Sequence, residues 1–187
     1  MKKLMALTLA LLMVFTLVAC GGPTGKAEKA VKNYIEAVKK LDTEKMFELT
    51  YSEDDAEYEE EEMEEDEEKL AKLFLKKVDY KIIESEEIDE ETVEVTVEIT
   101  NIDFEEFGEM LEEKAEEMAD EVEDLSEEEQ KEEAIKLIEK CLKDKDLGEE
   151  TGEITVTVIN DDGDWKIQEN IDLTMSLLAG VLFTSFM

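Results

Sequence analysis

Three carboxylates crowd one short stretch of this chain: Asp161, Asp162 and Asp164 sit with Asn160 in NDDGD, a tight loop of oxygen donors that suits a hard cation such as calcium. The alternating ligand spacing and the downstream glutamate of an EF-hand are missing, and Asp162-Gly163 equally suits a two-residue hairpin turn. The three aspartates therefore stand as weak metal candidates beside the hairpin-turn reading, while diffuse, weak divalent-cation binding fits the acidic run 52–68. The chain has no histidine, so the usual general base and proton shuttle is absent. No serine occupies a nucleophile elbow and no glycine loop is built to cradle a phosphate. Cys141 has no histidine to activate it; in AIKLIEKCL it shares one helix face with Ala134, Ile135, Leu137, Ile138 and Leu142, and reads as a small buried hydrophobe. No cofactor is implied, and the chain reads as something other than an enzyme.

The second thiol, Cys20, has a different setting. Lys2 and Lys3 precede an apolar segment, Leu4 to Val18, that suits a secretory signal and is too short for a comfortable bilayer span. An ordinary signal ends on small residues and needs no thiol. Leu17-Val18-Ala19-Cys20, followed by Gly21, resembles the lipobox of bacterial lipoproteins. The resemblance implies a signal peptide over 1–19, cleavage before Cys20, a diacylglycerol on its thiol, and residues 20–26 as lipidated cysteine and short tether. It places the protein at the cell membrane, lipid-anchored on the extracytoplasmic face. The competing readings are a cleaved signal with an incidental Cys20, or an uncleaved anchor. Two acyl chains, at about 0.8 kcal/mol per buried methylene, hold a protein firmly where one does not. With Cys20 lipidated, only Cys141 remains of the two cysteines, and no internal disulfide can form.

The charge narrows the partners. Acids number 55 against 20 bases, a net charge of -35, and removing 1–19 takes away two lysines and no acid. Nucleic acid, whose phosphates need cationic neutralisation, is excluded. An anionic leaflet repels such a body too, so it is expected to stand off the membrane on its tether.

The positioning elements follow from periodicity. Ala30, Val31, Tyr34, Ile35, Val38 and Leu41 form one helical stripe, and Asp42 or Thr43 caps a short helix with Met46, Phe47 and Leu49. The run 52–68 is almost wholly acidic and has no base, which predicts a solvated, partly helical or disordered polyanion. Helical spacing resumes at Leu70, Leu73 and Phe74. Then the period becomes two: Val78, Tyr80 and Ile82 share a face, ESEEIDEE turns the chain, and Val93, Val95, Val97 and Ile99 share the next. Ile154, Val156 and Val158 alternate with threonines before the Asp162-Gly163 turn and the return through Trp165 and Ile167. Between these hairpins, Asp103 caps one helix, and Ser126 with Glu129 forms a capping box for the helix holding Cys141.

The chain thus reads as an α+β fold over 27–187: N-terminal helices packed on a curved antiparallel sheet of about four strands, with a two-helix insertion, 103–147, between the hairpins. AVKNYIEAVKKLDTEKMFELT (30–50) and the closing DWKIQEN (164–170) resemble the first helices and last strand of the nuclear-transport-factor-like, or cystatin-like, cone, a layout found behind a lipobox in Gram-positive lipoproteins. The tail IDLTMSLLAGVLFTSFM (171–187) is apolar nearly all round, which predicts a core element under the sheet or over a cone mouth; membrane or partner contact is the alternative. The leading functional expectation is a non-catalytic binding module for a protein, peptide or wall ligand, with a concave apolar surface at the sheet. An acidic calcium-binding envelope protein is the alternative, and a pocket enzyme using carboxylates with Tyr80 or Trp165 is third.

Overall fold

The computed structural model describes residues 22–52 and 63–184. The expected signal peptide, Cys20, residues 53–62 of the acidic run and the last three residues of the tail lie outside these described residues.

The first helix, α1 (Pro23–Lys40), buries the stripe Ala27, Ala30, Val31, Tyr34, Ile35 and Val38. It begins inside the stretch expected to be tether, because Pro23 occupies N1, where its fixed φ fits the helix and its missing N–H is not needed. Its end is a Schellman-type closure: Leu41 takes φ 57°, and Asp42 N donates to Ala37 O at 3.0 Å. A leucine in this left-handed conformation is strained by about 1 kcal/mol, which its packing against the core offsets. Asp42 then caps α2 (Thr43–Glu48), accepting from Lys45 N at 3.0 Å.

A two-residue strand, β1 (Thr50–Tyr51), follows. After α3 (Glu65–Leu75), opened by a Glu64–Glu67 capping box, come β2 (Asp79–Glu87) and β3 (Thr92–Ile102). The helical insertion is α4 (Phe104–Val122) and α5 (Glu127–Leu142), and β4 (Glu149–Asp161), β5 (Asp164–Gln168) and α6 (Ile171–Thr184) complete the chain. Asp103 caps α4 and the Ser126–Glu129 box opens α5, as the sequence predicts.

The sheet order is β1-β5-β4-β3-β2, five strands rather than four. The extra strand is β1, parallel to β5 through Ile167 N donating to Leu49 O at 2.8 Å, so the sheet is mixed. Two residues are too few to leave a period-2 signal. The first hairpin also differs from expectation: Glu84–Glu87 belong to β2, paired with β3, instead of the turn. A bulge at Ile83 puts Ser85 opposite Val95, where an apolar residue was the readable sign; Ser85 Oγ instead donates to Glu28 of α1 at 3.1 Å.

Two cores result. In the first, Val93, Val95, Val97 and Ile99 of β3 meet Val156 and Val158 of β4, Ile167 of β5 and the stripe of α1. Each such side chain contributes about 1.5–3 kcal/mol on burial. The second lies under the insertion, where Phe74 packs edge-on against Phe107 at 5.4 Å among Ile135, Ile138, Cys141 and Leu142. The tail spans both. Leu173 and Leu177 of α6 are buried in the first core, whereas Ile171 is 71% and Met175 51% exposed. Among the described residues no helix is long and apolar enough to cross a membrane.

Candidate functional site

The inner face of the sheet is covered by α1 and α6, and its valines are fully buried. The concave apolar surface expected there is closed, because the apolar tail packs into it.

The depression with the most distinctive chemistry lies instead at the β1/β5 edge, a cleft of about 620 Å³ between α1, the end of α2 and the β4–β5 turn. From α1, Lys26, Lys29 and Asn33 recur at helical spacing beside Ala30. The facing wall brings Lys45, Glu48 and Leu49, and the turn supplies Gly163, Asp164, Trp165 and Lys166. Four lysines thus face two lining carboxylates, a local excess of positive charge in a chain of net charge -35.

Lys45 Nζ lies 2.5 Å from Glu48 and Lys166 Nζ 2.7 Å from Asp161. These hydrogen bonds raise both lysine pKa values, so the ammonium groups stay charged at neutral pH and are unsuited to act as bases. Lys26 and Lys29 are exposed and make no ion pair among the described residues. The floor is Ala30, Leu49 and the chain's one tryptophan, Trp165, half-buried against the core. Its indole Nε1 is buried without a hydrogen-bond acceptor, a cost of about 1–3 kcal/mol.

Of the three candidate aspartates, Asp164 lines this cleft, while Asp161 and Asp162 belong to the hairpin beside it. Asp161 and Asp164 are the last paired residues of the hairpin, and Asp162 (φ 50°) and Gly163 (φ 107°) make its turn, both with the positive φ of a type I′ geometry. Asn160 Oδ1 accepts from Gly163 N at 3.0 Å and Asp161 accepts from Lys166, so these two side chains are engaged within the hairpin. Among the described residues no three acidic or thiol side chains converge to hold a metal ion.

Tyr80 is on the edge strand β2 and Trp165 on β5, with β3 and β4 between them, so the two do not meet. Burial, followed by the charges of Glu36 and Asp79, pushes its phenol pKa up and keeps it neutral. Cys141 is fully buried, and that desolvation raises its thiol pKa, in keeping with a hydrophobe's role.

Two other depressions are chemically plainer. One, at the end of α5, is flat and solvated, its Lys136 and Lys143 tied to Glu133 and Glu139. Another is an apolar groove of about 390 Å³ between Phe104, Ile102 and Met175. The lysine cleft escaped sequence reading because its members lie up to 140 residues apart and those on α1 look like an ordinary solvated face; of its lining, Asp164 and Trp165 were singled out as functional candidates, for other chemistry.

The family model for DUF5105, a domain of unknown function, matches residues 24–183. The chain belongs to the DUF5105 family. No curated protein and no solved structure matches it. The DUF5105 span runs from the first turn of α1 into α6, so all the residues lining the cleft fall inside it and Cys20 falls outside.

Proposed function

We propose that this protein is a lipid-anchored, extracytoplasmic, non-catalytic binding module, in which a diacylglyceryl group on Cys20 holds the DUF5105 domain at the membrane and the lysine cleft receives its ligand. The observation that carries the anchor is the arrangement of Lys2-Lys3, the apolar Leu4 to Val18, and Leu17-Val18-Ala19-Cys20-Gly21. The non-catalytic reading is supported by the missing histidine and by cleft lysines held in their charged form. We read the α1 and sheet arrangement as a cone of the nuclear-transport-factor-like kind, its interior plugged by α6 so that binding moves to the edge. Because α1 starts at Pro23, no more than about 11 Å of chain separates it from Cys20, so the anchored domain sits at the surface on a very short tether.

Mass spectrometry of protein extracted from membranes with detergent tests this reading. The N-terminal peptide is expected to start at Cys20 and to carry the added mass of at least a diacylglyceryl group. An N-terminus at Met1, or an unmodified Cys20, overturns the anchor.

A further inference from the structure

We propose that the cleft walled by Lys26, Lys29, Lys45 and Lys166 binds a phosphate-bearing anion; this takes the binding-module reading above and names the chemical class of its ligand.

The chain contains no arginine, so all 20 of its cations are lysines. They are outnumbered almost three to one, and the electrostatic expectation for any lysine is a carboxylate neighbour. In the cleft, α1 presents Lys26 and Lys29 with no ion pair among the described residues, in one lining with Lys45 of α2 and Lys166 of β5. An ammonium carries three donors. Lys45 and Lys166 each commit a donor to Glu48 and Asp161, while Lys26 and Lys29 commit none to a carboxylate among the described residues.

The donors are mobile point charges arriving from two sides. That suits a tetrahedral phosphate, whose oxygens point in several directions, better than a planar carboxylate, whose best partner is the flat fork of arginine. Asn33 adds a side-chain amide on the same wall, and Trp165 with Leu49 offers an apolar floor for the organic part of a phosphate ester. A polynucleotide is excluded by the surrounding charge of -35, which repels a long polyanion while leaving room for a single phosphate group at this locally positive spot.

Two sources carry this chemistry: the headgroup of an anionic phospholipid, and a soluble phosphate ester. Lys26 and Lys29 lie in the first two turns of α1, close to where the chain would leave the membrane, so both sources have access.

Trp165, as the one tryptophan, makes intrinsic fluorescence a reporter of the cleft. The full chain in neutral detergent is titrated with sodium phosphate and with glycerol phosphate against sodium chloride at matched ionic strength. A saturable change with phosphate and none with chloride is expected, and Lys26→Gln/Lys29→Gln weakens it by about tenfold or more. Both lysines are exposed, so an unchanged thermal melt certifies that the double variant is folded. Vesicles of phosphatidylcholine with and without phosphatidylglycerol form the second arm. A lysine-dependent response to phosphatidylglycerol alone assigns the lipid headgroup; one to glycerol phosphate in solution assigns a free ester. No saturable response in either arm, or an equal response from the double variant, overturns the proposal. The lipid on Cys20 is read independently by mass, so failure of the anchor and failure of the cleft are told apart.

Discussion

Gly180 of α6 lies so close to Phe74 of α3 that a Cβ on it would sit 2.5 Å from the Cβ, Cγ and Cδ1 of that phenylalanine. Phe74 cannot yield, because its ring is fixed edge-on to Phe107 at 5.4 Å and against Phe104 at 6.4 Å. Gly180→Ala therefore sets an overpacking cost of about 1–3 kcal/mol against a helix-propensity gain of about 1 kcal/mol. A net loss is expected, lowering Tm by about 2–6 °C at this size. Calorimetry of Gly180→Ala alone and with Phe74→Leu checks the mechanism: the alanine costs less when the ring is gone, and a Tm raised by the single change would contradict it.

Asn101 is the one buried polar side chain among the described core residues. Its Nδ2 donates to Ser176 O of α6 at 3.1 Å and its Oδ1 accepts from Ile102 N at 2.9 Å, so one side chain ties the end of β3 to the tail helix. Asn101→Ala strips both bonds and leaves a buried N–H unpaired, a loss of about 1–3 kcal/mol. Hydrogen exchange should show α6 amides opening first, ahead of those of β3. Uniform exchange with an unchanged melt would remove the latch role.

Lys114 of α4 reaches Asp144, just beyond α5, at 3.0 Å and clamps the two-helix insertion shut. That bond, with the N–H of Asp146, holds the Asp144 carboxyl below its usual range, and Asp144 in turn raises Lys114. A carboxyl depressed on folding stabilises the native state above its unfolded pKa of about 3.9, and the benefit disappears as pH falls through the folded value. A double-mutant cycle with Asp144→Asn and Lys114→Gln should give a favourable coupling that is constant from pH 7 to about pH 5 and is lost as the folded carboxyl takes up its proton at more acid pH. The cycle is needed because Asp144→Asn alone also relieves repulsion in a chain this acidic. A coupling that persists undiminished at the acid end would mean that ionisation of Asp144 is not its source.

Legibility in the sequence tracked the strength of the local signal. The α1 stripe, the alternating valines of β3 and β4, the Asp103 cap, the Ser126 box and the Asp162-Gly163 turn were readable because each is decided within a few residues. β1 was invisible, since its existence depends on Leu49 O meeting Ile167 N across the fold. The second half of β2 was hidden behind acids because its inward residue, Ser85, is satisfied by Glu28 on a distant helix. The tail announced that it must be covered, and the expectation of a core element holds at Leu173 and Leu177. By filling the sheet it also removed the apolar concavity that sequence reasoning had assigned to the ligand. The lysine cleft is assembled from α1, α2 and β5, and no window of sequence contains it.

Cys141 supplies the last prediction. It is fully buried in the cluster that holds Phe107, Ile138 and Leu142, and that desolvation raises the thiol pKa. Thiolate is the reactive species, so both access and ionisation are suppressed in the native state. In a Cys20→Ser chain, where Cys141 is the remaining thiol, modification by an aromatic disulfide at pH 8 should be at least about a hundredfold slower than in denaturing urea and should follow global unfolding. The sign with pH is fixed: the unfolded thiol loses its proton from about pH 8.5, before the folded one, so stability falls as pH rises beyond that point. Replacing Cys141 with Ala removes this alkaline slope, although the cavity left by the sulfur lowers the melt at every pH. Native modification as fast as in urea would place the thiol at the surface and end the account of α5 as a core helix.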